Sequence, residues 1–409
     1  MKIIKTNIMN PVSPQKSEFH KDIFITLDKS KITAISKQNF NTVFDDYSNF
    51  LCLPGFIDTH VHLSQFNVTG RHSTDLLKWL NKYIFAEEYK SKDEIYARKI
   101  AHNFFSASLK SGTTTSVIYT APFRKACDIA FETAKEIGVR AMIGKTMMDC
   151  NSPKFLQENT EKSFSESVEL FEKWNLKTPL LEYIFSPRFA PVCSSDLLKK
   201  VGDFANKNNA FIQTHLSENK NEIDWVKKLF PKCSSYTEVY EKHNILGSKT
   251  ILGHAIHLVD EEFEILKNTD SKIAHCPDSN FFLKSGIFPM EKMKEKKIDF
   301  ALASDVAAGT SLSMFNVMKM CIYRQDDYKV FPEEAFYYAT LAGAKILGKE
   351  NVIGSLEVGK EADLIFMEIP GILEKDKSEL LAELVYLGNK MEVKRVFVAG
   401  KEIFKKDSL

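Results

Sequence analysis

Between Pro54 and Lys349 the chain alternates short apolar runs with helical stretches, and it does so eight times. The runs are Phe56 to His62, Thr113 to Tyr119, Arg140 to Met148, Leu180 to Ser186, Ala210 to His215, Thr250 to His254, Lys272 to His275 and Ile298 to Ser304. Helix signals lie between them. Ser91-Lys92-Asp93-Glu94 has the form of a capping box, opening a helix with Ile95, Ile100, Phe104 and Leu109 as its apolar residues and Gly112 as its stop. A second helix, around Arg124 to Ile137, ends at Gly138. Eight such units predict a (β/α)₈ barrel, a fold of about 250 residues that tolerates insertions. An open doubly wound sheet is the other arrangement this count permits.

The two chain ends read differently. Asp22 to Leu27 and Lys31 to Ile35 alternate apolar and polar residues around a turn at Asp28-Lys29-Ser30. Asp363 to Met367, Val393 to Val398 and Glu402 to Phe404 do the same near the other terminus. Residues 1–53 and 351–409 are therefore expected to form one small β-sandwich beside a barrel of residues 54–350.

Charge narrows the partners. With 55 basic against 54 acidic residues the net charge is +1, which leaves no footprint for nucleic acid or an anionic membrane. A small, weakly charged substrate is expected. The seven cysteines are scattered and form no C-x-x-C pair, so they read as reduced thiols. Met1 to Asn10 has no secretory pattern, and no run of about 18 apolar residues occurs. A soluble, cytoplasmic protein is expected.

The strongest chemical signal is Pro54-Gly55-Phe56-Ile57-Asp58-Thr59-His60-Val61-His62. Residues two apart on a strand share a face, so His60 and His62 can hold one ion, at the strand end where barrel enzymes place their sites. His215, His254 and Asp305 end three later strands. Imidazole and carboxylate bind zinc at about 2.0–2.2 Å, and a catalytic site leaves one position for water. A different zinc-site pattern, H-x-E followed by P-C-x-x-C, is absent in usable form, because Cys276 precedes Pro277 and has no partner three residues on.

The order H-x-H, His, His, Asp on successive strands resembles the amidohydrolase superfamily, and further segments resemble its guanine deaminase family. These are His62 through Gln65, Leu77 through Tyr83 (LKWLNKY), Lys145 through Asn151, Pro187-Arg188-Phe189, Thr214 through Asn219, Ala274 through Asn280 and Ser304 through Ala307. Gly354 through Asp363 matches the superfamily as a whole. The resemblance spans the chain and implies hydrolysis of guanine to xanthine and ammonia. It implies one zinc held by His60, His62, His215 and Asp305; iron suits the same ligand types. Two-metal relatives bridge their ions with a lysine on the fourth strand, and Leu180 to Arg188 contains none.

Asp305 would take a proton from the zinc-activated water, Glu218 would carry protons to the ring and the leaving amine, and His254 would donate to the developing oxyanion. Arg188 and Gln65 would read the purine, with Phe189, Trp79 and Phe85 near the ring. A homodimer is expected from the same resemblance. The plainer role for Glu218 is a helix N-terminal acid. The rivals to guanine are cytosine, a modified adenosine or a triazine, and a non-catalytic scaffold is a remote alternative. His102 and His243 are expected at the surface and His257 in the interior. His275 is a candidate for orienting a ligand. Ala307-Ala308-Gly309-Thr310 departs from relatives with a second glycine, which puts the loop after Asp305 in question.

Overall fold

The computed structural model describes residues 1–38, 43–73, 76–326 and 328–406. At each end of the chain lie strands of one mixed sheet. β1 (Lys2–Ser13), β2 (Lys16–Asp28), β3 (Lys31–Ser36) and β4 (Asp45–Pro54) come from the N-terminal segment. Then come the eight barrel strands: β5 (Phe56–His62), β6 (Thr113–Thr120), β7 (Arg140–Met147), β8 (Leu181–Pro187), β9 (Phe211–Leu216), β10 (Thr250–His254), β11 (Lys272–His275) and β12 (Phe300–Leu302). β13 (Leu364–Glu368), β14 (Val393–Val398) and β15 (Lys401–Lys405) return to the first sheet.

Strands β5 to β12 lie side by side in chain order and every neighbouring pair is parallel. Their residues are almost all buried, as expected of strands covered on both faces. The sheet bends round until its last strand meets its first. Asp305 N–H donates to His60 O at 2.9 Å and His62 N–H donates to Val306 O at 2.8 Å. Asp58 completes the seam by accepting from Ser304 N–H (2.9 Å) and Ser304 Oγ (2.5 Å). The arrangement is the barrel; the open-sheet alternative is excluded.

The terminal strands form a single seven-stranded sheet in the order β15-β14-β13-β4-β1-β2-β3, antiparallel except where β1 runs beside β4. Ile4, Ile25, Ile32, Leu364, Phe366 and Phe397 share a second core on it, separate from that of the barrel. The chain passes from β4 to β5 through Gly55 alone. A Cβ there would lie 2.1 Å from Thr114 Oγ1, so only glycine admits the crossing.

Two local expectations need correction. The helix Glu94–Lys110 is capped by Asp93, whose carboxylate accepts from Tyr96 N–H, and not by Ser91, which ends the preceding helix. Ile95 faces solvent. The buried face is built on Ile100, Ala101, Phe104, Phe105 and Leu109, because Ile95 falls outside the stripe they define. The helix Arg124–Ile137 ends at Gly138, which adopts φ 89°. All seven cysteines are free, and among the described residues no helix is long and apolar enough to cross a membrane.

A buried ion pair fastens the barrel to the second sheet. Arg140 at the start of β7 donates through Nε (3.0 Å) and Nη2 (3.1 Å) to Asp363, and through Nη2 to Glu361 (2.6 Å). Replacing Arg140 with Met strands two carboxylates in a largely buried place. The expected cost is about 3–5 kcal/mol of unfolding free energy in urea titration, and a loss under 1 kcal/mol would show that the clamp contributes little.

Candidate active site

The carboxyl ends of β5, β9, β10 and β12 converge on one point. His60 and His62 point inward together from β5, as their spacing of two requires. His215 is the penultimate residue of β9 and His254 ends β10. Asp305, three residues beyond β12, turns back into the barrel with φ 48°. His254 is also left-handed, at φ 70°. Such non-glycine conformations cost about 1–3 kcal/mol each and persist where the surroundings enforce them.

The ring nitrogens and the carboxylate are close enough to share one small ion. Asp305 Oδ1 lies 3.3 Å from His62 Nε2 and 3.5 Å from His60 Nε2, and Asp305 Oδ2 lies 3.7 Å from His254 Nε2. His215 Nε2 is 3.3 Å from His62 Nε2. Candidate ligand atoms of His60, His215, His254 and Asp305 all fall within 4.8 Å of one another. That group includes His254 and leaves out His62, which lies beside it through His215 and Asp305.

The donor chemistry fits a metal. His60 is completely buried, yet neither ring nitrogen has a hydrogen-bond partner among the described residues. Burying such groups unpaired is costly, and a cation accepting the lone pair would offset it. Burial pushes His62 down to about pKa 4. Burial, reinforced by the neighbouring imidazoles of His60, His62 and His254, holds His215 well below the usual histidine range. Both rings are thus neutral, as ligation requires. Burial alone would raise Asp305, but the His60, His62 and His254 rings outweigh it and hold the carboxyl well below its ordinary value. His215 Nδ1 lies 2.6 Å from Arg188 O, which fixes its proton there and leaves Nε2 free. Gly253 makes room for the cluster, since a Cβ there would lie 2.8 Å from His60 Cε1.

Beside the cluster is a pocket lined by His62, Gln65, Leu76, Trp79, Leu80, Arg188, Phe189, His215, Glu218, Glu222, His254, Asp305 and Ala308. Glu218 stands before the helix Lys220–Leu229, whose cap is Asn219 and whose first-turn acid is Glu222. The helix-end role expected as an alternative for Glu218 therefore belongs to Glu222. The Glu218 carboxyl accepts from Ser285 Oγ at 3.0 Å and lies 3.5 Å from His254 Nε2. Burial, with the Asp305 charge nearby, raises it to about 8, so it holds its proton at neutral pH.

Of the expected aromatic residues, Phe189 and Trp79 line the pocket. Phe85 does not; its ring lies 5.4 Å from the Arg188 guanidinium. Arg188 and Gln65 reach the pocket wall and meet on Glu88, a residue sequence reasoning missed. Arg188 Nη1 donates to both Glu88 oxygens at 2.8 Å, and Gln65 Nε2 donates to Glu88 Oε1 at 2.7 Å. Asn280 and Ser285 were also missed. Asn280 Oδ1 lies 2.8 Å from His254 Nδ1, while Ser285 is held by His257 Nε2 through its carbonyl at 2.7 Å. His257 thus acts at one remove from Glu218.

Neither His275 ring nitrogen has a hydrogen-bond partner among the described residues, and the ring stacks on Phe288 at 4.2 Å. His102 is exposed as expected, whereas His243 is half-buried, with Nδ1 2.6 Å from Val239 O. After Asp305 the loop needs only one glycine, because Gly309 N–H returns to Asp305 O and a Cβ there would lie 1.7 Å from Ser304 O.

An eight-stranded parallel barrel with four histidines and an aspartate at its carboxyl rim, beside a pocket containing a protonated carboxyl, defines a hydrolase of the metal-dependent barrel class. The family model of the amidohydrolase family matches residues 51–403. Guanine deaminase of Escherichia coli is 36% identical over 373 residues, covering 88% of this chain and 85% of the relative. Guanine deaminase of Dictyostelium discoideum is 36% identical over 379 residues, covering 88% and 83%. The crystal structure of guanine deaminase from C. acetobutylicum with bound guanine in the active site superposes with a TM-score of 0.94 at 32% identity, covering 98% of this chain and all of that one. The chain belongs to the guanine deaminase branch of the amidohydrolase family.

The packing around Gly253 makes a direct prediction. Gly253→Ala forces the His60 ring from its place, and overpacking of this kind costs about 1–3 kcal/mol. A lowered urea midpoint is expected, and an unchanged one would mean the ring has room to spare.

Proposed function

We propose that this chain hydrolyses guanine to xanthine and ammonia, using one zinc ion held by His60, His62, His215 and Asp305. The observation that carries this reading is the pairing, in one pocket, of the proton-bearing Glu218 carboxyl with the Arg188 and Gln65 side chains. Zinc supplies Lewis acidity when bound, turning water into a nucleophile at neutral pH. One ion is favoured because β8 carries no lysine to bridge a second.

The side chains divide the remaining work. Asp305, held as a carboxylate, accepts the proton of the attacking water. Glu218 delivers its proton to the ring nitrogen beside the reacting carbon, then takes up the water proton that Asp305 accepted and passes it to the departing amine. His254 stands beside Glu218 and Asp305 with Nε2 toward the developing oxyanion; because Nδ1 donates to Asn280 Oδ1, it donates there only with both ring nitrogens protonated. Arg188 donates to purine acceptors, Gln65 reads the adjoining ring position, and Phe189 and Trp79 flank the base. Barrel residues 54–350 supply this chemistry, with residues 1–53 and 351–409 forming the supporting β unit. The protein acts in purine breakdown as a cytoplasmic homodimer.

Three outcomes test this. Glu218→Gln should lower kcat on guanine by about 10²–10⁴-fold with metal content unchanged; undiminished turnover would remove Glu218 from the mechanism. Wild-type kcat/KM should fall as pH rises through about 8, where the donor loses its proton. A profile flat to pH 9.5 would contradict that protonation state. Chelation should abolish turnover and lower the melting temperature, with stoichiometric zinc restoring both; full activity in metal-free protein would exclude a metal.

A further inference from the structure

Glu88 touches none of the metal cluster, yet it is almost fully buried and ties together the two side chains expected to read the substrate. It lies on the helix Phe85–Lys90, directly after the π-helical turn Leu80–Ile84. Its neighbour Glu87 faces the other way, to Lys90 and Tyr96. A carboxylate offers only acceptors, so the amide it holds must present nitrogen to it. Gln65, free in principle to show either end of its amide, is thereby committed: Nε2 faces Glu88 and Oε1 is left over. Among the described residues nothing donates to that oxygen, and nothing accepts from Arg188 Nε or Nη2. Arg188 Nη1 and Gln65 Nε2 share Glu88 Oε1, so the spare donor and the spare acceptor belong to neighbouring side chains that both line the pocket.

We infer that Glu88 is a specificity-determining positioning residue that sets the hydrogen-bond polarity of the pocket, committing Gln65 to accept and Arg188 to donate. The pair then matches a lactam edge, a ring N–H next to a ring carbonyl, as guanine presents at N1 and C6. An amidine edge, with a bare ring nitrogen beside an amine, meets an acceptor with an acceptor and a donor with a donor. Glu88 also neutralises Arg188, so the pocket needs no anionic ligand to balance its one guanidinium. This inference rests on the reading of the site as a purine deaminase and adds which face of the purine it selects.

The test compares guanine with 2,6-diaminopurine, which keeps the 2-amino leaving group and replaces the lactam edge with an amidine. Sites built around buried polar partners can reject a mismatched analogue by about 10⁴–10⁵. Wild-type enzyme is expected to prefer guanine strongly in kcat/KM. Glu88→Gln, which frees both amides to rotate, should shrink that ratio by at least about 100-fold, mainly through a higher KM for guanine. Glu88→Asp, which keeps an acceptor, should retain most of the ratio. If loss of the buried charge unfolds Glu88→Gln, Gln65→Leu leaves the Arg188–Glu88 pair intact and should shrink the ratio in the same direction. Equal losses on both purines, with the ratio unchanged in folded variants, would overturn the role for Glu88. Wild-type protein that releases ammonia from neither purine would instead overturn the guanine reading, and this inference with it.

Discussion

Asp305 can face His60 and His62 only because the last barrel strand is hydrogen-bonded back to the first. The Asp305–His60 and His62–Val306 backbone bonds set the register of that seam, and Asp58 locks it by accepting twice from Ser304. A slip of one residue would turn both histidines away from the barrel axis, since side chains alternate along a strand. Burial raises Asp58 to about 6 even with its Ser304 bonds, so the seam is itself a buried polar contact that needs every partner. The catalytic rim thus depends on closure of the barrel more than on any one loop.

Around that seam the site is arranged in pairs. Four of the inward-facing groups are held from behind: His215 by the Arg188 carbonyl, His254 by Asn280, Glu218 by Ser285, and Arg188 by Glu88. The supporting contacts fix tautomers and orientations before substrate arrives, which is the condition for electrostatic preorganisation. The pocket also combines two carboxyls in opposite states. Asp305 is held ionised by imidazoles, while burial and the Asp305 charge keep Glu218 protonated. Environment, not residue type, separates the two protonation states.

Much of this was legible in the sequence because it is local. An H-x-H at a strand end, and single metal-type residues closing later strands, follow from the two-residue period and from where barrels keep their sites. Strands β5, β10 and β11 match their expected bounds, since apolar runs and turn residues delimit them. What could not be read joins distant residues. Glu88 meets Arg188 across 100 positions and Ser285 meets Glu218 across 67, and no periodicity signals either. Glu87 and Glu88 are indistinguishable in sequence; the helix rotation after Leu80–Ile84 decides which one enters the pocket. Ile95 misled because one apolar residue at a helix start does not define a face.

Removal of the amine of guanine is the chemistry on which the roles of these side chains depend. Its most direct test is ammonia release from the zinc-loaded protein offered guanine, adenine, cytosine and an amino-triazine in parallel. Release from guanine alone is the predicted result. Preferential turnover of one of the other three would keep the barrel and its metal cluster but contradict the roles given to Arg188, Gln65 and the pocket they line.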